Sequence, residues 1–349
     1  MNLNAVGAFL LRHFRYSLLV TAAGLFFALL RGSLEGMFVA AVLGILEVSL
    51  SFDNAVVNAS VLKEMDEKWR QRFLTWGILI AVFGMRLLFP ILIVAATAGL
   101  GIFEVTGMAF RNPDEYARHL HGAHTQIAAF GGMFLLLVFF SFLMDETKDV
   151  HWLGDAEAWL ARVGKLESAE IVAALLVLLG AQAFVPAEKK VAMLAAGIAG
   201  VVLYVLVTSV SGLLEEEEEE AHMAEKLAKR SGVLGFLYLE VLDASFSFDG
   251  VIGAFAITKD IVIITLGLMI GAMFVRSLTV YLVKQGTLEQ YIYLEHGAHY
   301  AIGALGLLML ASIRMEIPEV ITGLIGVVFI ALALWSSVRY NRSQQLAKG

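Results

Sequence analysis

Apolar blocks approaching 20 residues recur along this chain, separated by charged stretches, and many of the blocks have no polar face. A block of that length is what a helix needs to cross a bilayer core. A soluble helix would instead alternate an apolar stripe with a polar one. The pattern predicts ten spans, at roughly 14–31, 34–62, 73–99, 121–144, 169–185, 189–213, 232–258, 261–284, 291–312 and 318–338. The fifth is the shortest. Charged loops separate several of them: KEMDEKWRQR at 63–72, the segment 145–168, and an acidic linker at 213–230 whose run Glu215–Glu220 reads as solvated. The expected fold class is all-α, a polytopic membrane bundle.

Composition agrees with the pattern. Hydrophobic residues make up 59% of the chain and charged residues 16%, with a mean hydropathy of +0.79; a soluble domain carries about 25% charged residues. There is no cysteine, which excludes disulfides, thiolate nucleophiles and Cys-ligated metals. Arg12 and Arg15 precede the first apolar run without a small-residue cleavage pattern after it, so that run reads as a retained helix. Ten spans place sixteen Lys and Arg residues on one face and seven on the other, which puts both termini in the cytoplasm.

Two apolar runs contain acids at the same spacing. LEVSLSFDNA at 46–55 holds Glu47 and Asp53, and LDASFSFDG at 242–250 holds Asp243 and Asp249. Two more motifs follow each run in the same order: GILIAVFGMR at 77–86 matches GLMIGAMFVR at 267–276, pairing Arg86 with Arg276, and HGAH occurs at 121–124 and 296–299. This order reads as a duplication, with a first repeat over 1–185 and a second over 186–349. The copies are offset by five spans, an odd number, so they should face opposite ways across the membrane. Inverted repeats of this kind place a transporter's binding site near the midplane.

An acid at a span centre costs roughly 2.5–3.5 kcal/mol by insertion scales, so four such acids need cations, shared protons or water. Residues six apart on a helix point about 120° away from each other, so Glu47 and Asp53 meet one ligand only if the helix unwinds between them. Asn54 and Gly250 follow the second acid of each pair, and both residue types tolerate left-handed backbone. Carboxylate, carbonyl and water oxygens together suit Mn²⁺, Mg²⁺ or Ca²⁺. Arg86 and Arg276 either lock the acids in salt bridges or balance an empty site until a cation arrives. Glu240, one turn before Asp243, is a candidate ligand or proton carrier, and Gly44 stands at its position in the first copy.

His121 with His124, and His296 with His299, lie three apart and so share a helix face. They are candidates for metal ligation or proton relay, or are polar residues at span ends. HGAH is not the HExxH of a zinc protease. Met133, Met269 and Met273 read as packing. Gly303 and Gly306 form a small-residue face suited to packing within or between chains.

The motif LEVSLSFDNAVV, followed by DASFSFDGVIGAFAITKD, resembles the signatures of the TerC family of integral membrane proteins. AFAITKD at 254–260 is a close match to the end of the second signature, and the HGAH-bearing form resembles a branch of that superfamily without an assigned function. The resemblance covers roughly 34–145 and 232–312. It implies a bacterial inner-membrane protein of the LysE-type transporter superfamily, whose better-understood members export Mn²⁺. It also implies Glu47, Asp53, Asn54, Asp243 and Asp249 as metal ligands. Gly250 departs from the family's serine, and HGAH is outside the usual pattern.

The sequence therefore predicts a divalent-cation transporter, with Mn²⁺ efflux the first expectation. Its partners would be the lipid bilayer and the metal ion, with no nucleic acid. It carries no ATP-binding motif and is not expected to be an enzyme. Two alternatives stay open: a membrane scaffold docking a stress-response complex through its loops, and an intramembrane metal-dependent enzyme.

Overall fold

A computed structural model of the chain describes residues 9, 11–166, 168–213 and 232–348, with side chains left undescribed at 64, 74, 78, 209–213, 234, 248, 249, 256, 319, 320 and 345–348. The linker expected at 213–230 lies almost wholly outside the described residues. All described elements are helical. They are α1 (Arg15–Leu50), α2 (Phe52–Glu64), α3 (Glu67–Leu79) continuing through a π-helical segment (Ile80–Leu88) into α4 (Phe89–Ala98), α5 (Ile102–Arg111), α6 (Pro113–Gly122), α7 (His124–Leu143), α8 (Asp155–Val163) and α9 (Ala169–Ala181). Next come α10 (Ala187–Leu213), α11 (Gly232–Ile257), α12 (Ile261–Gln285), α13 (Thr287–Gln290), α14 (Leu294–Ser312) and α15 (Glu319–Lys348).

Six of the described helical segments are long and apolar enough to cross a membrane: Arg15–Leu50, Ile80–Ala98, His124–Leu143, Ala187–Thr208, Ile261–Gln285 and Ile321–Gln344. Ala169–Phe184 is a shorter apolar helix. Large apolar side chains stay exposed along α1 and α15, among them Phe26, Phe27, Leu30, Leu324, Leu332 and Trp335. Exposed apolar area on that scale belongs against lipid.

α1 does not run straight. Gly32 (φ −124°, ψ 18°) and Ser33 (φ 61°, ψ −162°) leave the helical region, and a Cβ built on Gly36 would lie 3.1 Å from the carbonyl oxygen of Ala28. Eight residues of continuous helix would separate those positions by about 12 Å. The chain therefore folds back at 32–33 into a helical hairpin. Both arms clasp α12: Gly24 and Gly44, one on each arm, both lie against Ile270. The sequence reading of separate segments at 14–31 and 34–62 matches this turn.

The remaining packing follows small residues. α7 and α14 cross where Gly132 and Gly306 bring their backbones together, with Cβ positions 2.9–3.0 Å from the opposite carbonyl oxygens. They run antiparallel, since His124 reaches Ser312 at one end and Phe142 stacks on His299 at the other. The Gly303 and Gly306 face thus packs within the chain. The stretch between the third and fourth expected segments folds as two short helices, α5 and α6. One apolar cluster, which includes Val57, Leu136, Leu239, Ile302 and Ile330, draws on both halves of the sequence.

Candidate functional site

The two acidic motifs lie on α1–α2 and α11, which run past each other in opposite directions. Asn54 Nδ2 donates to Asp243 Oδ1 at 2.9 Å. Glu47 Oε2 lies 2.7 Å from where a Cβ on Gly250 would stand. These contacts correspond to one another, because the motif alignment pairs Glu47 with Asp243 and Asn54 with Gly250. Each leading acid meets the residue that follows the second acid of the other motif. Gly250 is thus explained by space, since any side chain there would collide with the Glu47 carboxylate. Its φ is not positive, nor is that of Asn54, so the left-handed break expected at these two residues does not occur.

A break is present in one copy only. Between Glu47 and Asp53 the helix is interrupted at Ser51 (φ −106°, ψ 20°), whereas α11 continues unbroken through its motif. The break starts a new helix, α2, with Asp53 in its first turn. In that position the Asp53 carboxylate has part of the cost of burying its charge offset by the helix N-terminus. It also faces Gly326 of α15, whose missing side chain leaves it room, with a Cβ position 3.2 Å away.

Arg86 sits at the centre. It ion-pairs with Glu47 and lies 3.9 Å from Asp243, so one guanidinium serves an acid from each copy. The π-helical segment aims it, and Nη1 also donates to the Ala81 carbonyl at 2.7 Å. A π-bulge adds a residue to the turn and commonly marks a functional position. Arg276 stands differently. Its Nη1 donates to Phe73 O at 3.1 Å, its guanidinium lies 3.7 Å over the Phe73 ring, and Glu240 is at the limit of pairing, 4.0 Å away. Glu240 packs onto Gly77, and neither of its carboxylate oxygens has a hydrogen-bond partner.

Glu47, Asn54, Asp243, Glu240, Arg86 and Arg276 are therefore gathered into one buried cluster, while the Asp53 carboxylate, also buried, faces Gly326 of α15 instead. The Asp249 side chain lies outside the described residues. Among the described residues no three His, Cys, Asp or Glu side chains are grouped closely enough to hold a metal ion, because arginine and asparagine stand between the acids. An apolar cavity of about 260 Å³ touches the cluster only through Ala244 and Ser245.

The histidine pairs are not in the cluster, and they differ from each other. His121 and His124 straddle a helix break at Ala123, with His121 exposed and His124 Nε2 3.3 Å from the Ser312 hydroxyl. They do not share a continuous helix face. His296 and His299 do, on α14: His299 stacks on Phe142 of α7, and His296 fastens the 145–163 segment. His296 Nε2 bonds to the Val150 carbonyl at 2.9 Å and lies 3.4 Å from Glu157 Oε1. Lys148 Nζ reaches the same oxygen at 2.5 Å, and the Leu153 amide donates to the other at 3.0 Å. Sequence reasoning missed Glu157, since nothing in a charged loop distinguishes one glutamate from its neighbours.

Burial alone would raise the Glu157 carboxyl, but hydrogen bonds from His296, Lys148 and the Leu153 amide outweigh it and hold it at about 2. A depressed carboxyl contributes stability above its ordinary value of 4.5, and the contribution is lost as pH falls toward about 2. Glu157→Gln at neutral pH should loosen the segment much as acid does. Losing charged hydrogen bonds worth about 1.5–3 kcal/mol should speed tryptic cleavage at Lys148 or Arg162 about tenfold or more. Unchanged cleavage would mean that the segment is held by other contacts.

No curated protein and no solved structure matches the chain. A family model does match, over residues 52–344, a span that takes in Asp53, Arg86, both HGAH motifs and the whole second acidic motif. The chain belongs to that family, DUF475, which is described as a protein of unknown function.

Proposed function

We propose that this protein is an inverted-repeat membrane transporter for a divalent cation, with Mn²⁺ the first candidate and efflux from the cytoplasm the direction. The observation that carries the reading is the reciprocal meeting of the two motifs, Glu47 on Gly250 and Asp243 on Asn54, with Arg86 between the two leading acids. Related contacts lie around it. Gly44 packs on Gly267, and the aligned positions, Glu240 and Gly77, pack on each other. The antiparallel pairing of α7 and α14 also fits a two-fold axis in the membrane plane.

In this reading Arg86 stands in for the cation when the site is empty. A divalent ion reaching Glu47 and Asp243 displaces the guanidinium electrostatically, and Asp53 and the Asn54 amide oxygen supply further hard-oxygen ligands. The resemblance to the TerC family supports Mn²⁺ and the bacterial inner membrane, and the uneven distribution of Lys and Arg supports cytoplasmic termini. The break at Ser51 supports a site that rearranges, because broken helices in transporters coordinate their cargo through freed backbone and side chains.

The test is flux. Purified protein in liposomes loaded with a metal-sensitive dye should admit Mn²⁺, and Asp53→Asn or Asp243→Asn should abolish the signal while inserting normally. Loss of well over a hundredfold is expected if each carboxylate contributes about 3 kcal/mol to holding the desolvated ion. Flux retained in both variants would sink the reading and favour a scaffold that works through its loops.

A further inference from the structure

The acids are not the only polar groups buried at the centre of this bundle. α2 is buried on every side from Asp53 to Leu62. A helix enclosed in a membrane bundle is normally apolar all round, yet Ser51, Asn54 and Asn58 stand at i, i+3 and i+7, on one face. Asn54 is 1% exposed and Asn58 is 3% exposed, and the amide oxygen of each has no hydrogen-bond partner. The hydroxyl of Ser247, one turn from Asp243 on α11, is likewise buried and unpartnered. Val56 lies about 200° round α2 from both asparagines, on the face that carries Asp53 and Ser60, whose hydroxyl is used up on the Val57 carbonyl.

Buried polar atoms without partners are rare because each costs most of a hydrogen bond. Two amide oxygens one turn apart on one face of α2 need a common cause, and Ser247 lies to the other side of the cluster, because α11 runs antiparallel with Asp243 beside Asn54. A helix-packing role would have been served as well by leucine or alanine. Amide and hydroxyl oxygens are hard donors of the kind that replace water around Mn²⁺, Mg²⁺ or Ca²⁺. Being neutral, they pass an ion on more readily than carboxylates do. The line begins at the acid cluster and runs down α2 toward the charged 63–72 segment.

We propose that this face of α2 is the path of the cation between the acid cluster and the 63–72 side of the membrane, with the Asn58 amide oxygen a ligand on the way. The proposal deepens the transport reading and rests on it. It adds a site of neutral oxygens one turn beyond the acids, where the ion is partly dehydrated before it meets charge.

The chain contains no cysteine, so single cysteine substitutions report position without further engineering. Asn58→Cys and Val56→Cys would be reconstituted and treated with a cationic, water-soluble thiol reagent from the 63–72 face, with and without Mn²⁺. The path predicts that Asn58→Cys reacts about tenfold or more faster than Val56→Cys and that Mn²⁺ slows only the former. Equal rates, or no reaction at position 58, overturn the path whether or not Mn²⁺ is transported. Fast reaction that Mn²⁺ leaves unchanged, in protein whose unsubstituted form binds Mn²⁺, overturns the ligand role. Unsubstituted protein that binds no Mn²⁺ overturns the transport reading itself. Should Asn58→Cys fail to insert, Asn58→Asp serves instead: a carboxylate on the path should tighten Mn²⁺ binding, and unchanged affinity overturns the proposal.

Discussion

Arg86→Leu should destabilise the folded protein by about 3–5 kcal/mol, the usual result of removing one partner from a buried ion pair. The cost is not the lost attraction alone. Glu47 is 2% exposed and Asp243 6% exposed; without the guanidinium Glu47 is a carboxylate with no cation beside it in a low-dielectric interior, and Asp243 is left with only the more distant charge of Arg276. Asp243 would keep its bond from Asn54, and Glu47 only the 3.4 Å contact with the Ser51 hydroxyl. If uncompensated charge is the cause, Arg86→Leu combined with Glu47→Gln and Asp243→Asn should recover most of the stability while leaving the protein inactive. Arg276→Leu should cost less, because Glu240 is only at the edge of its reach and its firm contacts are a backbone carbonyl and an aromatic ring. Denaturant unfolding in mixed micelles measures all three against the wild type. A loss of about 1 kcal/mol or less for Arg86→Leu, the worth of an exposed pair, would mean that water reaches the cluster.

The same charges explain how much of this site was legible in the sequence. Acids are rare enough inside apolar runs that two pairs at equal spacing identify themselves, and Arg86 and Arg276 could be matched for the same reason. The all-helical, membrane-spanning character was legible because apolar length and helix length are set by the same bilayer, although six of the described segments, not ten, are long and apolar enough to span it. What the sequence hid was local geometry. Six-residue spacing asks for a break between Glu47 and Asp53 only if the two share a ligand; Asn54 and Gly250 read as the residues that permit one, and Ser51 is where the break falls. Gly250 looked like a backbone device and is a space-saving one. The HGAH copies look identical as text, yet α7 begins at the second histidine of the first copy, whereas α14 begins two residues before the second copy, at Leu294. Helix limits, not motif identity, decide what each histidine touches. Asn58 went unremarked although its spacing from Asn54 was readable, because an asparagine is a weaker signal in an apolar run than an acid.

The aligned glycines Gly77 and Gly267 give the second large effect, and a contrast within it. Gly267→Ala should destabilise the protein by about 1–3 kcal/mol, the usual cost of overpacking a core. A methyl there would come 2.6 Å from Leu43 Cβ and 2.9 Å from the Ala40 carbonyl oxygen. Neither atom can rotate away, so the second arm of the clasp, residues 34–50, would have to shift off α12, and Glu47 one turn along would move with it. Gly77→Ala meets different neighbours: Glu240 Oε1 at 2.6 Å and the Arg276 guanidinium nitrogens at 3.1 and 3.2 Å. Those are the ends of flexible side chains, which can swing aside for little. Gly77→Ala should therefore leave unfolding within about 0.5 kcal/mol of wild type, while it changes the placement of Glu240 and Arg276. If the two halves work as related elements around one cation, both substitutions reduce Mn²⁺ flux, one through the frame and the other through charge. Equal losses of stability would instead mean that Glu240 is as rigidly held as the backbone. A stable Gly77→Ala variant with full flux would show that the second half's extra acid lies outside the transport path, leaving Glu47, Asp53 and Asp243 to carry the ion.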